Sequence, residues 1–132
     1  MEVDNLALLT RFIVDALEQR FDREPIVSIK KRIDGSIYSI TIKTGVHYII
    51  IKPQVDGYTI SYMNLEIRRE LMFQLMAEPS LNTYTFEELS NYLVDHYSKK
   101  FLREFLFDSI DEAYRFIPYF VKYVIGNPPT LL

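Results

Sequence analysis

Three X-Gly pairs constrain this chain more than any other feature. Asp34-Gly35, Thr44-Gly45 and Asp56-Gly57 recur at intervals of 10 and 12 residues. Glycine takes the positive φ that tight hairpin turns need. The runs between them are rich in Ile, Val, Tyr and Thr, residues that suit a pleated, half-buried surface. The spacing therefore predicts a four-stranded antiparallel meander over residues 26–33, 36–43, 46–52 and 58–63.

Side-chain alternation then sorts the faces. With Asp34-Gly35 as a two-residue turn, Ile29 falls opposite Ile40 and Val27 opposite Ile42, and Tyr38 joins them on one apolar face. Ser28, Lys30, Arg32, Ile37, Ser39, Thr41 and Lys43 take the other face. Carried through Thr44-Gly45, the same rule puts Ile49 and Ile51 inside and leaves Val46, Tyr48, Ile50 and Lys52 outside. Threonine is a poor first residue for such a turn, and a slip of one residue would exchange the faces of strand three. In either register strand three keeps large apolar side chains on both sides. Pro53, which cannot donate to a ladder, is expected to end that strand.

Helices flank the meander. Leu6, Leu9, Ile13 and Leu17 form one stripe from Asp4 to Phe21, with Asp4 as the expected N-cap and Pro25 closing the segment. A second helix is expected over Asn64–Ala77. Thr85-Phe86-Glu87-Glu88 reads as a capping box that opens a helix to about Phe107. Ser109-Ile110-Asp111-Glu112 opens a last one to about Ile125, closed by Gly126, Asn127, Pro128 and Pro129, with Pro118 as a kink. This helix is apolar around most of its circumference and so must be covered on most sides. The expectation is an α+β fold: an N-terminal helix, a four-stranded meander and three C-terminal helices packed on the sheet. A length of 132 residues with 48% hydrophobic side chains fits one domain, 1–132.

Composition removes whole classes of chemistry. With no cysteine there are no disulfides, thiolate metal sites or cysteine nucleophiles. The four glycines are never closer than ten residues, so no glycine-rich phosphate loop exists. The N-terminal stretch carries acids where a signal peptide has a basic region, and no apolar run reaches the roughly 20 residues of a membrane span. A cytoplasmic protein without membrane contact is expected. His47 sits among isoleucines, and His96 shares no paired-ligand spacing with any other residue. The Asp34…Lys43 spacing has the outline of a metal-dependent nuclease core, but the acid expected two positions before the lysine is Thr41. Asp108, Asp111 and Glu112 read as helix-start acids before they read as cation ligands. The sequence therefore calls for no catalytic residue, cofactor or metal.

Function then rests on surfaces. Residues 23–69 carry eight bases against four acids, and the remainder seven against fourteen. The outer sheet face is expected to combine a basic patch, Lys30, Arg32, Lys43 and Lys52, with the apolar residues Ile37, Tyr48, Ile50 and Met63. Apolar patches on soluble proteins mark contact sites, most often twofold ones. The leading expectation is a non-catalytic binding or regulatory protein that forms a homodimer through this face, through Tyr119 and Tyr123 of the last helix, or both. A nucleic-acid-binding accessory protein using the basic face ranks second. An acidic inhibitor or immunity-type protein, of viral or mobile-element kind, ranks third.

Overall fold

The computed structural model describes residues 2–125. The expected close at Gly126–Pro129 lies outside them. Helix α1 (Glu2–Phe21) leads into strands β1 (Ile26–Lys31), β2 (Ile37–Thr44), β3 (His47–Gln54) and β4 (Gly57–Asn64). Helices α2 (Leu65–Met76) and α3 (Phe86–Phe101) follow, then strand β5 (Leu102–Phe107) and helix α4 (Ile110–Tyr119), which runs on as a π-helical turn over Phe120–Ile125. The strands form one antiparallel sheet in chain order, β1-β2-β3-β4-β5. The α+β class and the N-terminal helix are as expected, but the sheet has five strands.

Residues 102–107 make that difference. Their apolar positions fit a helix continued from α3, and no Gly or Pro interrupts them. Leu102 is nevertheless extended (φ −126°, ψ 133°), and the segment pairs with β4 from Met63↔Leu102 to Tyr58↔Phe107. Strand pairing also seats Phe105 and Phe107 against the main core, so tertiary contact overrides a helix-compatible pattern.

The first hairpin contains two departures that cancel. Arg32 N–H donates to the Ser36 carbonyl at 2.8 Å, so the loop is the three residues Ile33-Asp34-Gly35, with Gly35 at φ 89°. The Asp34 carboxylate accepts from Ser36 N–H at 2.9 Å and from the Ser36 hydroxyl at 2.6 Å, bracing the turn. This loop shifts pairing by one residue, giving Lys31↔Ile37. A bulge at Tyr38 shifts it back, giving Lys30↔Ser39, Ile29↔Ile40 and Val27↔Ile42. The far end of the hairpin is therefore in the expected register, and only Ile37 and Tyr38 exchange faces.

The second turn is centred on Gly45-Val46, since Thr44 pairs with His47, and Gly45 takes φ 57°. This moves the register by two residues, which preserves the faces: Ile49 and Ile51 are fully buried as expected. Pro53 lies within β3 instead of ending it. It pairs with Tyr58 of β4, while the β2–β3 ladder has already stopped at Ile40↔Ile51 beside the bulge. The missing donor therefore costs the sheet little on the β2 side.

Two cores result. The main one joins Leu6, Leu9, Ile13 and Leu17 of α1 to Ile40, Ile42, Ile49, Ile51, Ile60 and Tyr62 of the sheet, and to Ile117, Phe120, Val121 and Val124 beyond. Each such side chain contributes roughly 1.5–3 kcal/mol on burial. The second core holds the α2–α3 hairpin together through Ile67, Leu71, Leu75, Leu89, Leu93 and Phe101, and meets the sheet at Met63 and Leu102. Asn64 caps α2 by accepting from Ile67 N–H at 3.1 Å, and Leu65 N–H donates to the Val46 carbonyl at 2.8 Å, so α2 is tied to the β2–β3 turn. Thr85 and Glu88 form the expected reciprocal capping box. α1 begins at Glu2, ahead of its expected cap. Pro118 removes one i→i−4 bond inside α4, and the wider π turn begins two residues later.

Candidate binding face

Helices α1 and α4 pack on one face of the sheet. The register assigns the opposite face Ile26, Ser28 and Lys30 of β1; Ser39, Thr41 and Lys43 of β2; and Tyr48, Ile50 and Lys52 of β3. Thr59, Ser61 and Met63 of β4 and Leu102, Glu104 and Leu106 of β5 complete it. Neither core includes Tyr48 or Ile50. The α2–α3 hairpin meets this face only at its Met63–Leu102 end.

Across the strands the face is banded. One band runs Ser28, Thr41, Ile50, Ser61 and Glu104, so Ile50 stands in a row of small hydroxyls. A second runs Ile26, Lys43, Tyr48 and Met63. The bulge adds Tyr38, 46% exposed, beside Lys52. The Arg32 guanidinium carbon lies 5.5 Å and the Lys52 ammonium 5.7 Å from the centre of the Tyr38 ring, each within cation–π range. Lys30 and Lys43 are exposed. Glu104 is the one carboxylate among these strand residues, and it sits on β5, two strands or roughly 10 Å from Lys52 on β3.

The sequence-expected residues thus divide into three groups. Tyr48, Ile50, Lys30, Lys43 and Lys52 share the open face, with Arg32 at its corner. Met63 lies on it too, but its side chain packs against the second core. Ile37 turns the other way and packs on the main core, because the three-residue loop reverses its parity. Tyr119 and Tyr123 lean on each other with ring centres 5.0 Å apart and are exposed, yet they belong to the helical layer on the far side of the sheet. Sheet face and last helix are therefore two surfaces and cannot form one patch. Tyr38 is the residue that strict alternation misses. Its signal is a glycine at the third position of the Ile33-Asp34-Gly35 loop.

The histidines have structural surroundings. His47 Nδ1 lies 2.7 Å from the Tyr62 hydroxyl and its ring stacks on Phe21 at 5.0 Å. Burial pulls its pKa below the usual histidine value. His96 leans on Tyr92, with ring centres 4.2 Å apart. The acids 108–112 serve the start of α4: Glu112 accepts from Asp108 N–H at 3.2 Å and Ser109 accepts from Glu112 N–H at 3.3 Å. Among the described residues no three His, Asp or Glu side chains gather as metal ligands, and no helix is long and apolar enough to cross a membrane. A groove of about 700 Å³ between α1 and α4 has Phe12, Ala16, Ile117 and Val121 along it, with Asp15, Arg20 and Lys122 also lining it. Its lining includes no serine, threonine or histidine.

No family model matches this chain, and neither a curated protein nor a solved structure matches it.

Proposed function

We propose that this chain is a non-catalytic binding protein whose open sheet face engages a single strand of nucleic acid. The observation that carries the reading is the placement of Tyr38 and Tyr48 on the sheet face opposite α1 and α4, among Lys30, Arg32, Lys43 and Lys52. Aromatic rings on a sheet offer stacking platforms for unpaired bases, and the surrounding cations neutralise the backbone. Small hydroxyls between them, Ser28, Thr41 and Thr59, leave room for a ligand to lie flat.

The same charges argue against self-contact through this face. A twofold face-to-face contact would set four cations and one carboxylate, Glu104, against an identical set, so most charges would be desolvated without an opposite partner. An acidic, extended ligand removes that cost. The excess of acid elsewhere in the chain confines a polyanion to this surface.

Fluorescence anisotropy with labelled single-stranded and duplex oligonucleotides tests the reading. Single strands are expected to bind better than duplex, and the four cations predict a log K against log salt slope no steeper than about −3 between about 50 and 200 mM. Absence of single-strand binding at the lower salt, or equal binding of duplex, overturns the proposal. It would leave an acidic protein surface as the ligand this face fits.

A further inference from the structure

The β1 edge presents a second surface, and it fits a second copy of this chain. All six residues of β1 are exposed, and none belongs to either core. Val27 and Ile29 lie on the helix-covered side of the sheet by their pairing with Ile42 and Ile40, yet they are 40% and 53% exposed. The helical layer stops over β2. An apolar row and an unpaired strand edge are left in the open, an arrangement that invites strand addition.

We propose that two copies pair antiparallel through β1 about a twofold axis at Ser28, making one continuous ten-stranded sheet (five strands from each copy). Antiparallel pairing keeps each residue opposite one of the same face, which restricts the choice of register. With Ser28 on the axis, Val27 lies opposite the partner's Ile29 and Ile29 opposite the partner's Val27. The two apolar rows merge into one on the helix-bearing side of the sheet, between the two helical layers. Lys30 then falls opposite the partner's Ile26, so no lysine meets a lysine. Moving the axis to Ile29 would set Val27 against the partner's Lys31 and spoil the row. The other free edge, β5, leaves no such row open: Phe105 and Phe107, on its helix-covered side, already pack against the main core.

The pairing stands apart from what the open face binds, although it bears on it. An axis perpendicular to the sheet puts both open faces on the same side. The cations and tyrosines of two copies then line a single continuous platform.

The experiment joins solution mass to a cross-link. The chain has no cysteine, so Ser28→Cys introduces one thiol, and directly opposed strand positions lie within the Cα separation a disulfide requires. Light scattering on the unmodified chain should give twice the chain mass at micromolar concentration, and Val27→Asp/Ile29→Asp should return it to one chain. Mild oxidation should link Ser28→Cys chains several-fold faster than Ile33→Cys chains, whose thiol sits on the fully exposed hairpin tip. A monomer at every concentration overturns the proposal, as does equal cross-linking of the two variants. A dimer that survives the double substitution overturns the β1 pairing while leaving self-association intact. Oligonucleotide binding by a monomer would separate the two readings.

Discussion

His47 Nδ1 and the Tyr62 hydroxyl lie 2.7 Å apart, joining β3 to β4 beneath Phe21 at the end of α1. Tyr62 is fully buried, and burial pushes its pKa up to about 12. The Asn64 amide donates to the same hydroxyl at 3.4 Å, while Asn64 also caps α2. One small polar network therefore links two strands to the helical hairpin.

This network makes stability depend on pH through His47. Burial lowers its folded pKa below the ordinary 6.5. Above about pH 6.5 the imidazole is neutral in folded and unfolded chains alike, and its contribution is intact. As pH falls below 6.5 the unfolded chain takes up the proton first, so stability declines until pH passes the folded pKa. The slope should stay below the roughly 1.4 kcal/mol per pH unit of one full proton, because the side chain is only partly buried. His47→Gln keeps a hydrogen-bonding side chain but loses both ring stacks, and should cost about 1 kcal/mol at neutral pH. Thermal melts of both proteins from pH 7.5 down to 5 should show that deficit shrinking in the acid range. A deficit constant with pH would remove His47 as the source.

Adjacent isoleucines of β3 provide a direct reading of the one-sided sheet. Ile51 is fully buried under α1 and α4, whereas Ile50 stands between Thr41 and Ser61 on the open face. Ile51→Ala should cost about 2–5 kcal/mol, the range for emptying a closed core site. Ile50→Ala should cost no more than about 1 kcal/mol, because solvent already reaches that side chain. Urea unfolding of the two variants decides it. Equal losses would mean that the second face is covered.

The pattern of legibility follows the same physics. Turn glycines and β-branched runs defined four strands to within two residues at each end, and even a two-residue error at Gly45 left Ile49 and Ile51 inside, because side chains alternate with period two. Errors of a single residue are the damaging kind. One occurred at Ile33-Asp34-Gly35 and was undone at Tyr38, so it moved only Ile37 and Tyr38. Those two residues change the character of the open face. Strand β5 was illegible for a different reason: Leu102, Phe105 and Leu106 satisfy a helical spacing, and only the free edge of β4 selects the strand. The separation of Tyr48 from Tyr119 and Tyr123 likewise depends on which face the last helix covers, which side-chain period does not encode.

Two glycines separate steric exclusion from backbone strain. A Cβ on Gly57, at φ 157°, would collide with the backbone carbonyl of Phe107, where β5 closes on β4. A Cβ on Gly35, at φ 89°, meets nothing within 4 Å. Gly35→Ala should therefore cost only the left-handed strain, roughly 1–2 kcal/mol. Gly57→Ala must push two paired strands apart, and should cost about 3 kcal/mol or more through lost β4–β5 pairing. Denaturation midpoints rank the two. A milder effect at Gly57 than at Gly35 would contradict the close approach of Phe107.

Charge and stacking on the open face can be told apart by two substitutions near one point. Lys52 holds its ammonium 5.7 Å from the Tyr38 ring, so both residues would meet the same stretch of ligand. Tyr38→Leu removes the stacking plane and leaves the charge. It should weaken single-strand binding by about 1–3 kcal/mol and leave the salt slope unchanged. Lys52→Gln removes one phosphate contact. It should lower affinity more modestly and flatten the slope by about 0.7. Neither side chain belongs to a core, so both variants should melt near the parent protein. Anisotropy titrations across a salt series give affinity and slope together. If Tyr38→Leu changed the slope as much as Lys52→Gln, the ring would be acting only through the cations it holds. The face would then be an electrostatic surface with no stacking site.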